Sequence, residues 1–156
     1  MLSYRVLARL DIKGENLIKG VQFEGLRVLG KPVDFARKYA VDGADELFYL
    51  DTVASLYGRN QLEALIEETS GSAFIPLTVG GGIQCCDAAI HLLRIGADKV
   101  ALNTAAIKNP TVINDIANSV GNQALSVSIE AKRVTGGWEA YTDCGRNPTG
   151  RDAVLW

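Results

Sequence analysis

Two rhythms of apolar residues alternate along the 156-residue chain, short near-continuous runs and longer stretches at helical spacing. Residues 4–10 read as a first strand, apolar from Val6 to Leu10 apart from Arg9, with Asp11 at its end. Runs of this kind suit strands buried on both faces. Residues 13–31 read as a long loop, in which Lys19-Gly20 and Val21-Gln22-Phe23 suggest a small hairpin. Pro32 fits the first turn of a helix. Val33, Phe35, Ala36, Tyr39 and Ala40 then keep helical spacing to about residue 42, where Gly43 supplies the stop. Glu46 to Asp51 is a second strand, again ending in a carboxylate. A loop with Ser55, Gly58, Arg59 and Asn60 leads to a helix at about 60–69, with Leu62, Leu65 and Ile66 on one face.

The alternation continues. Phe74 to Val79 is a third strand running into Gly80-Gly81-Gly82, and a helix covers about 84–95. Asp98 to Asn103 is a fourth strand, and Pro110 opens a helix of about 110–119. Ala124 to Ile129 is a fifth strand ending in Glu130. Trp138 to Thr142 reads as an extended piece within the following loop, and residues 149–156 as the beginning of a fifth helix. Strand and helix in regular succession imply a parallel sheet with right-handed crossovers. An open doubly wound sheet and part of a (β/α)8 TIM barrel both satisfy this order. A weak repeat favours the barrel: Leu10-Asp11-Ile12-Lys13 and Ile129-Glu130-Ala131-Lys132 share the pattern apolar–acid–apolar–Lys. A whole barrel needs roughly 250 residues. Residues 1–156 are therefore expected to be the N-terminal part of a single barrel domain, a truncated barrel of about five β/α units.

Composition narrows the chemistry. Hydrophobic residues make up 47% and charged residues 22%, with a net charge of −2. That balance fits a globular core and leaves no electrostatic footprint for nucleic acid or an anionic membrane. Cys85, Cys86 and Cys144 form no disulfide framework, and adjacent Cys85 and Cys86 with a single histidine, His91, lack metal-ligand spacing. No metal or cofactor is expected. Charges at Arg5, Arg9 and Asp11 come too early for a signal peptide, and no apolar stretch is long enough to span a bilayer. A cytoplasmic location is the expectation.

The candidate chemistry lies at strand ends, where parallel sheets bind their ligands. Gly81 and Gly82, between a strand and a helix, let backbone N–H groups approach an anion closely. Asn103 and Thr104 hold the equivalent place one unit later, so the two ends together suit a phosphate cradle; an ordinary tight turn with an N-cap is the plainer reading. The dinucleotide glycine spacing is absent. Asp11 and Glu130 are a candidate acid/base pair. Asp51, a third strand-end carboxylate, reads more as an orienting or capping group. Lys19, on the long loop, is either a lid lysine for phosphate or a solvated side chain. Arg5, Glu46 and Lys99 stand at strand beginnings and would gather at the opposite mouth as a charged plug.

These residues resemble a known family, the cyclase subunit of imidazole glycerol phosphate synthase (HisF), within the HisA/HisF group. The matching stretches include Leu10-Asp11-Ile12-Lys13, Lys19-Gly20, Asp45-Glu46-Leu47, Leu50-Asp51, Thr78 to Ile83, Gly96 to Val100, Asn103 to Ala106 and Ala131-Lys132-Arg133. Asp51 to Ser55 and Ala131 to Arg133 resemble the cyclase rather than its sister isomerase. The resemblance implies a (β/α)8 barrel that closes the ring of imidazole glycerol phosphate from a phosphorylated precursor and ammonia, releasing AICAR in histidine biosynthesis. It implies a HisH-like glutaminase subunit as heterodimer partner, delivering ammonia along the barrel axis. By the same resemblance Asp11 is a catalytic acid/base, and Gly82, Asn103 and Thr104 belong to one phosphate site. Lys19 lies on the loop over the active site, Arg5, Glu46 and Lys99 form the ammonia gate, and Asp98 faces the glutaminase.

Two departures stand out. The family's second catalytic carboxylate is an aspartate, whereas this chain has Glu130, moved outward by one carbon–carbon bond of about 1.5 Å. A shift on that order can cost roughly 100-fold in rate. Arg9, inside the first strand, requires a carboxylate partner, because an unpaired interior charge is costly; Glu130 is the candidate. These changes also fit an ammonia-channelling paralogue acting on a glycan precursor. A third reading is a non-catalytic phosphate-binding half-barrel that self-associates to cover its open edges. The 156-residue chain alone is expected not to turn over substrate.

Overall fold

The computed structural model describes residues 4–21, 24–54 and 62–156. Its larger sheet has seven strands. β1 (Leu7–Lys13) is followed by a hairpin of β2 (Asn16–Val21) and β3 (Glu24–Gly30), and then by helix α1 (Pro32–Val41). β4 (Glu46–Asp51) leads to α2 (Glu63–Ser70), β5 (Leu77–Gly80) to α3 (Cys86–Arg94), and β6 (Lys99–Leu102) to α4 (Thr104–Lys108) and α5 (Thr111–Val120). β7 (Leu125–Val127) completes this sheet. β8 (Glu130–Val134), β9 (Gly137–Thr142) and β10 (Asn147–Asp152) form a separate three-stranded antiparallel sheet.

Strands β1, β4, β5, β6 and β7 are parallel and adjacent in chain order, each new strand added on the same side of the last. A doubly wound sheet reverses its strand order partway, and this sheet does not. The architecture is α/β on a parallel sheet. Its two faces differ. Leu10, Ile12, Leu47, Tyr49, Leu77, Val79, Val100 and Leu102 are fully buried with Ala36, Ile66, Leu92 and Ile116 of the helices. The opposite face carries Arg9, Phe48, Thr78 and Lys99 in one register row, and Asp11, Leu50, Gly80, Ala101 and Ser126 in the next. Strand alternation sends the fully buried apolar residues to the helix side and leaves the charged side chains of Arg9, Asp11 and Lys99 on this second face.

Local chemistry explains both boundaries of α1. Pro32 occupies the first turn of α1, as its sequence position predicts. Gly43, just past that helix, has φ +96°, a value that favours glycine. Tyr49 reaches from β4 to α2, its hydroxyl 2.8 Å from that of Thr69.

Several sequence expectations are corrected. Lys19 lies on strand β2, opposite Arg27, rather than on an irregular loop; the hinted hairpin occupies most of residues 13–31. The third strand starts at Leu77, not Phe74: Phe74 is 89% exposed, and Pro76 has no N–H for a ladder. The fifth parallel strand ends at Val127, and Glu130 opens β8 instead of closing the strand before it. Helix α4 has no counterpart in the pattern, since five residues are too few to show a period. The largest error is the helix expected over 149–156. Residues 147–152 form β10, paired with β9, and Asp152 then accepts N–H bonds from Val154 and Leu155 in a single turn. Leu155 is 89% exposed, so its apolar side chain faces no core that would hold a helix. The loop residues Ser55, Gly58, Arg59 and Asn60, the first residues of the 60–69 helix, and Gln22-Phe23 lie outside the described residues.

Among the described residues no helix is long and apolar enough to cross a membrane.

Candidate functional site

The C-terminal ends of the parallel strands surround a cavity of about 240 Å³. Asp51, Gly81, Gly82, Asn103, Thr104 and Glu130 all line it, with Phe48 and Leu50 as apolar wall. Four strand ends, far apart in sequence, thus bring six expected site residues to one place.

Each is held by its local structure. Asp51, the last residue of β4, is 1% exposed, and its Oδ1 accepts the N–H groups of Val53 (3.1 Å) and Ala54 (3.0 Å). This is the capping role that its sequence position suggests. Gly81 and Gly82 have φ +99° and +69°. A Cβ on Gly81 would collide with the backbone carbonyl of Asp51, so glycine is required there both for conformation and for closeness. Thr104 Oγ1 accepts the N–H of Asp143 at 3.1 Å, which ties α4 to the turn between β9 and β10.

Glu130 is held by two donors. Its Oε2 accepts Asn103 Nδ2–H at 3.0 Å and Gly145 N–H at 2.7 Å. Asn103 Nδ2 also donates to the carbonyl of Tyr141 at 3.1 Å. Burial pushes the Glu130 carboxyl above its ordinary pKa. The Gly145 hydrogen bond and the Arg9 charge pull it back, and the charges of Asp11 and Asp143 push it further up.

Asp11 does not line the cavity, yet it stands close enough for its charge to bear on Glu130. Its partner is Arg9, whose Nε donates to Oδ1 at 2.8 Å. The expected carboxylate for Arg9 therefore exists, but it is Asp11, two residues on, rather than Glu130. Both side chains are about two-fifths exposed, so water shares in neutralising the pair. Arg9 also lies over the Phe48 ring, 5.9 Å from its centroid. Lys19 is exposed on β2, away from the cavity lining.

At the other end of the strands, Arg5, Glu46 and Lys99 come together as expected. Glu46 is buried and forms ion pairs with Arg5 and, at 3.5 Å, with Lys99. Asp98 is exposed and its Oδ2 accepts the Leu77 N–H at 2.8 Å, which fixes the start of β5.

The turn of residues 143–146 is the part of the site that the sequence reading passes over. Asp143 and Cys144 both adopt positive φ, 54° and 57°. Cys144 lines the cavity and donates Sγ–H to the Thr52 carbonyl at 3.3 Å. Burial pushes its thiol up to about 11, which keeps it protonated and unreactive near neutrality. Asp143-Cys144-Gly145 is a recognisable turn signal, but nothing in the linear order says that the turn folds back over Glu130. Lys108, at the end of α4, also lines the cavity and supplies a cation.

A family model described as "Histidine biosynthesis protein" matches residues 5–156. A protein of Legionella pneumophila named imidazole glycerol phosphate synthase subunit HisF is 60% identical over 157 residues, covering all of this chain and 74% of that protein. One of the same name from Myxococcus xanthus (strain DK1622) is 48% identical over 156 residues, covering all of this chain and 62% of that protein.

Proposed function

Because the chain belongs to the histidine biosynthesis protein family, we propose that it carries the cyclase site of an imidazole glycerol phosphate synthase, acting on a phosphorylated precursor with ammonia. The observation that carries this reading is the cavity at the strands' C-terminal ends, lined together by Gly81, Gly82, Asn103, Thr104 and Glu130. Residues 1–156 belong, in this proposal, to the N-terminal part of one (β/α)8 barrel. Five parallel strands in unbroken chain order, with helices packed on one face, support it.

The chemistry divides among the residues. The amides of Gly81 and Gly82 and the Thr104 hydroxyl bind one phosphate of the substrate, with the Lys108 charge nearby. Glu130 has the environment of a proton donor, since burial favours its neutral form. Asp11, more exposed and paired with Arg9, is the complementary acceptor. Two carboxyl groups in unlike surroundings can move protons in opposite directions during ring closure. Lys19 contributes a mobile cation to the substrate only if β2 shifts toward the cavity. Arg5, Glu46 and Lys99 form the gate at the far mouth, beside the exposed Asp98, where a glutaminase subunit would deliver ammonia.

Growth tests this directly. A histidine auxotroph lacking the cyclase is expected to grow when given the full-length reading frame that contains residues 1–156, and to stop growing when that frame carries Asp11→Asn. Failure of the unmutated frame under conditions where the Legionella relative restores growth would sink the proposal.

A further inference from the structure

We infer that Asn103 is a positioning residue for Glu130, its side-chain amide acting with the Gly145 N–H as a two-donor clamp on Oε2 rather than as a donor to substrate phosphate. The inference deepens the proposed cyclase reading, but its geometry does not depend on it.

The hydrogen-bond inventory of one amide group makes the case. Asn103 Nδ2 has two protons, and both are used, one on Glu130 Oε2 at 3.0 Å and one on the Tyr141 carbonyl at 3.1 Å. The Tyr141 carbonyl can only accept, so the amide cannot be turned the other way around. Nothing is left on Nδ2 for an anion. The other atom, Oδ1, is a buried acceptor without a hydrogen-bond partner, and an acceptor does not bind a phosphate oxygen. The Asn103 side chain is thus committed to Glu130 and to β9, and the cradle is left to backbone amides and Thr104.

The clamp has a chemical consequence. Oε2 receives two N–H donors, Asn103 at 3.0 Å and Gly145 at 2.7 Å. An oxygen that accepts twice is the poorer place for a proton, so the acid form of Glu130 carries its proton on Oε1. Asn103 and Gly145 therefore choose which oxygen exchanges protons with the substrate. They also set its height, because Gly145 belongs to the β9–β10 turn and Tyr141 to β9. The groups whose charge reaches Glu130 are Arg9 and Asp11 from β1, and Asp143 from the turn, with the neutral thiol of Cys144 beside them.

The experiment uses the whole 156-residue chain. Glutamate labelled with 13C at the side-chain carboxyl carbon is titrated by NMR, Glu130 being assigned from the signal lost in Glu130→Gln. Replacing Asn103 by alanine removes a donor to the ionised form, so the Glu130 midpoint is expected to rise by roughly one pH unit. Binding of inorganic phosphate, measured by calorimetry in the same variant, is expected to stay at the wild-type level. An unmoved midpoint overturns the clamp. So does a loss of about tenfold in phosphate affinity, the worth of one donor to an anion. If Asn103→Ala does not fold, judged by circular dichroism, Asn103→Ser gives the same readings, since its short hydroxyl cannot span Glu130 and Tyr141 together. If the unmutated chain binds no phosphate, the cyclase reading is the one that fails, and the midpoint alone decides the clamp.

Discussion

Glu130 shows how one residue can be both costly and useful. Its carboxyl is partly buried and titrates above its ordinary range, so the folded protein binds a proton there more tightly than the unfolded chain. The sign follows: the group's contribution is favourable below its unfolded pKa and is lost as pH rises through the folded one. Glu130→Gln, neutral at every pH and still able to accept from Gly145, is therefore expected to raise the melting temperature at pH 7. The gain should shrink to nothing as pH falls toward the acid range, a comparison that thermal melts at a series of pH values can make. Gly81 is a second residue-scale case. With φ +99° and the Asp51 carbonyl in the path of any Cβ, Gly81→Ala is expected to cost on the order of 2 kcal/mol in urea unfolding, with weaker phosphate binding. The importance of Gly81 is visible in the sequence as a glycine run after a strand. The reason, a carbonyl from the neighbouring strand, is not.

At the scale of elements, the parallel strands and their helices other than α4 were readable because each carries an apolar run or a helical period. Their ends were less so, since a strand stops where its partner stops. β7 ends at Val127 because β6 ends at Leu102, its register partner. Pairs between elements carry the energetics. Tyr49 and Thr69 join β4 to α2 through a buried hydrogen bond of 2.8 Å. Tyr49→Phe is expected to cost about 1 kcal/mol, read from the midpoint of a urea titration. Burial pushes the Tyr49 hydroxyl up to about 12. Its stabilising contribution is therefore present below pH 10 and lost between about pH 10 and 12, an alkaline loss absent from Tyr49→Phe.

For the whole molecule, the sheet has β7 at one border and β3 at the other among the described residues. Val127 and Ile129, 41% and 43% exposed, stand along the β7 border. An open, apolar parallel edge is a template for pairing with another chain. Light scattering is expected to give a mass that rises with protein concentration, and Val127→Lys to reduce that rise. A monomer at all concentrations would remove self-association as a competing role for this chain. The polar face is divided along the strands, with the Arg5–Glu46–Lys99 cluster at one end and the cavity with Glu130 at the other.

The sequence by itself determined the alternation of strands and helices, the parallel sheet, and the residue types waiting at each strand end. These follow from short-range patterns: apolar period, glycine punctuation, proline at a helix start. Only the tertiary structure decided that residues 147–152 pair with β9 instead of starting a helix, that Arg9 takes Asp11, and that Asn103 is spent on Glu130. Each depends on which backbone or side chain lies across a gap of many residues. A hydrogen bond reaches about 3 Å in space whatever the separation along the chain, and linear order carries no record of that distance.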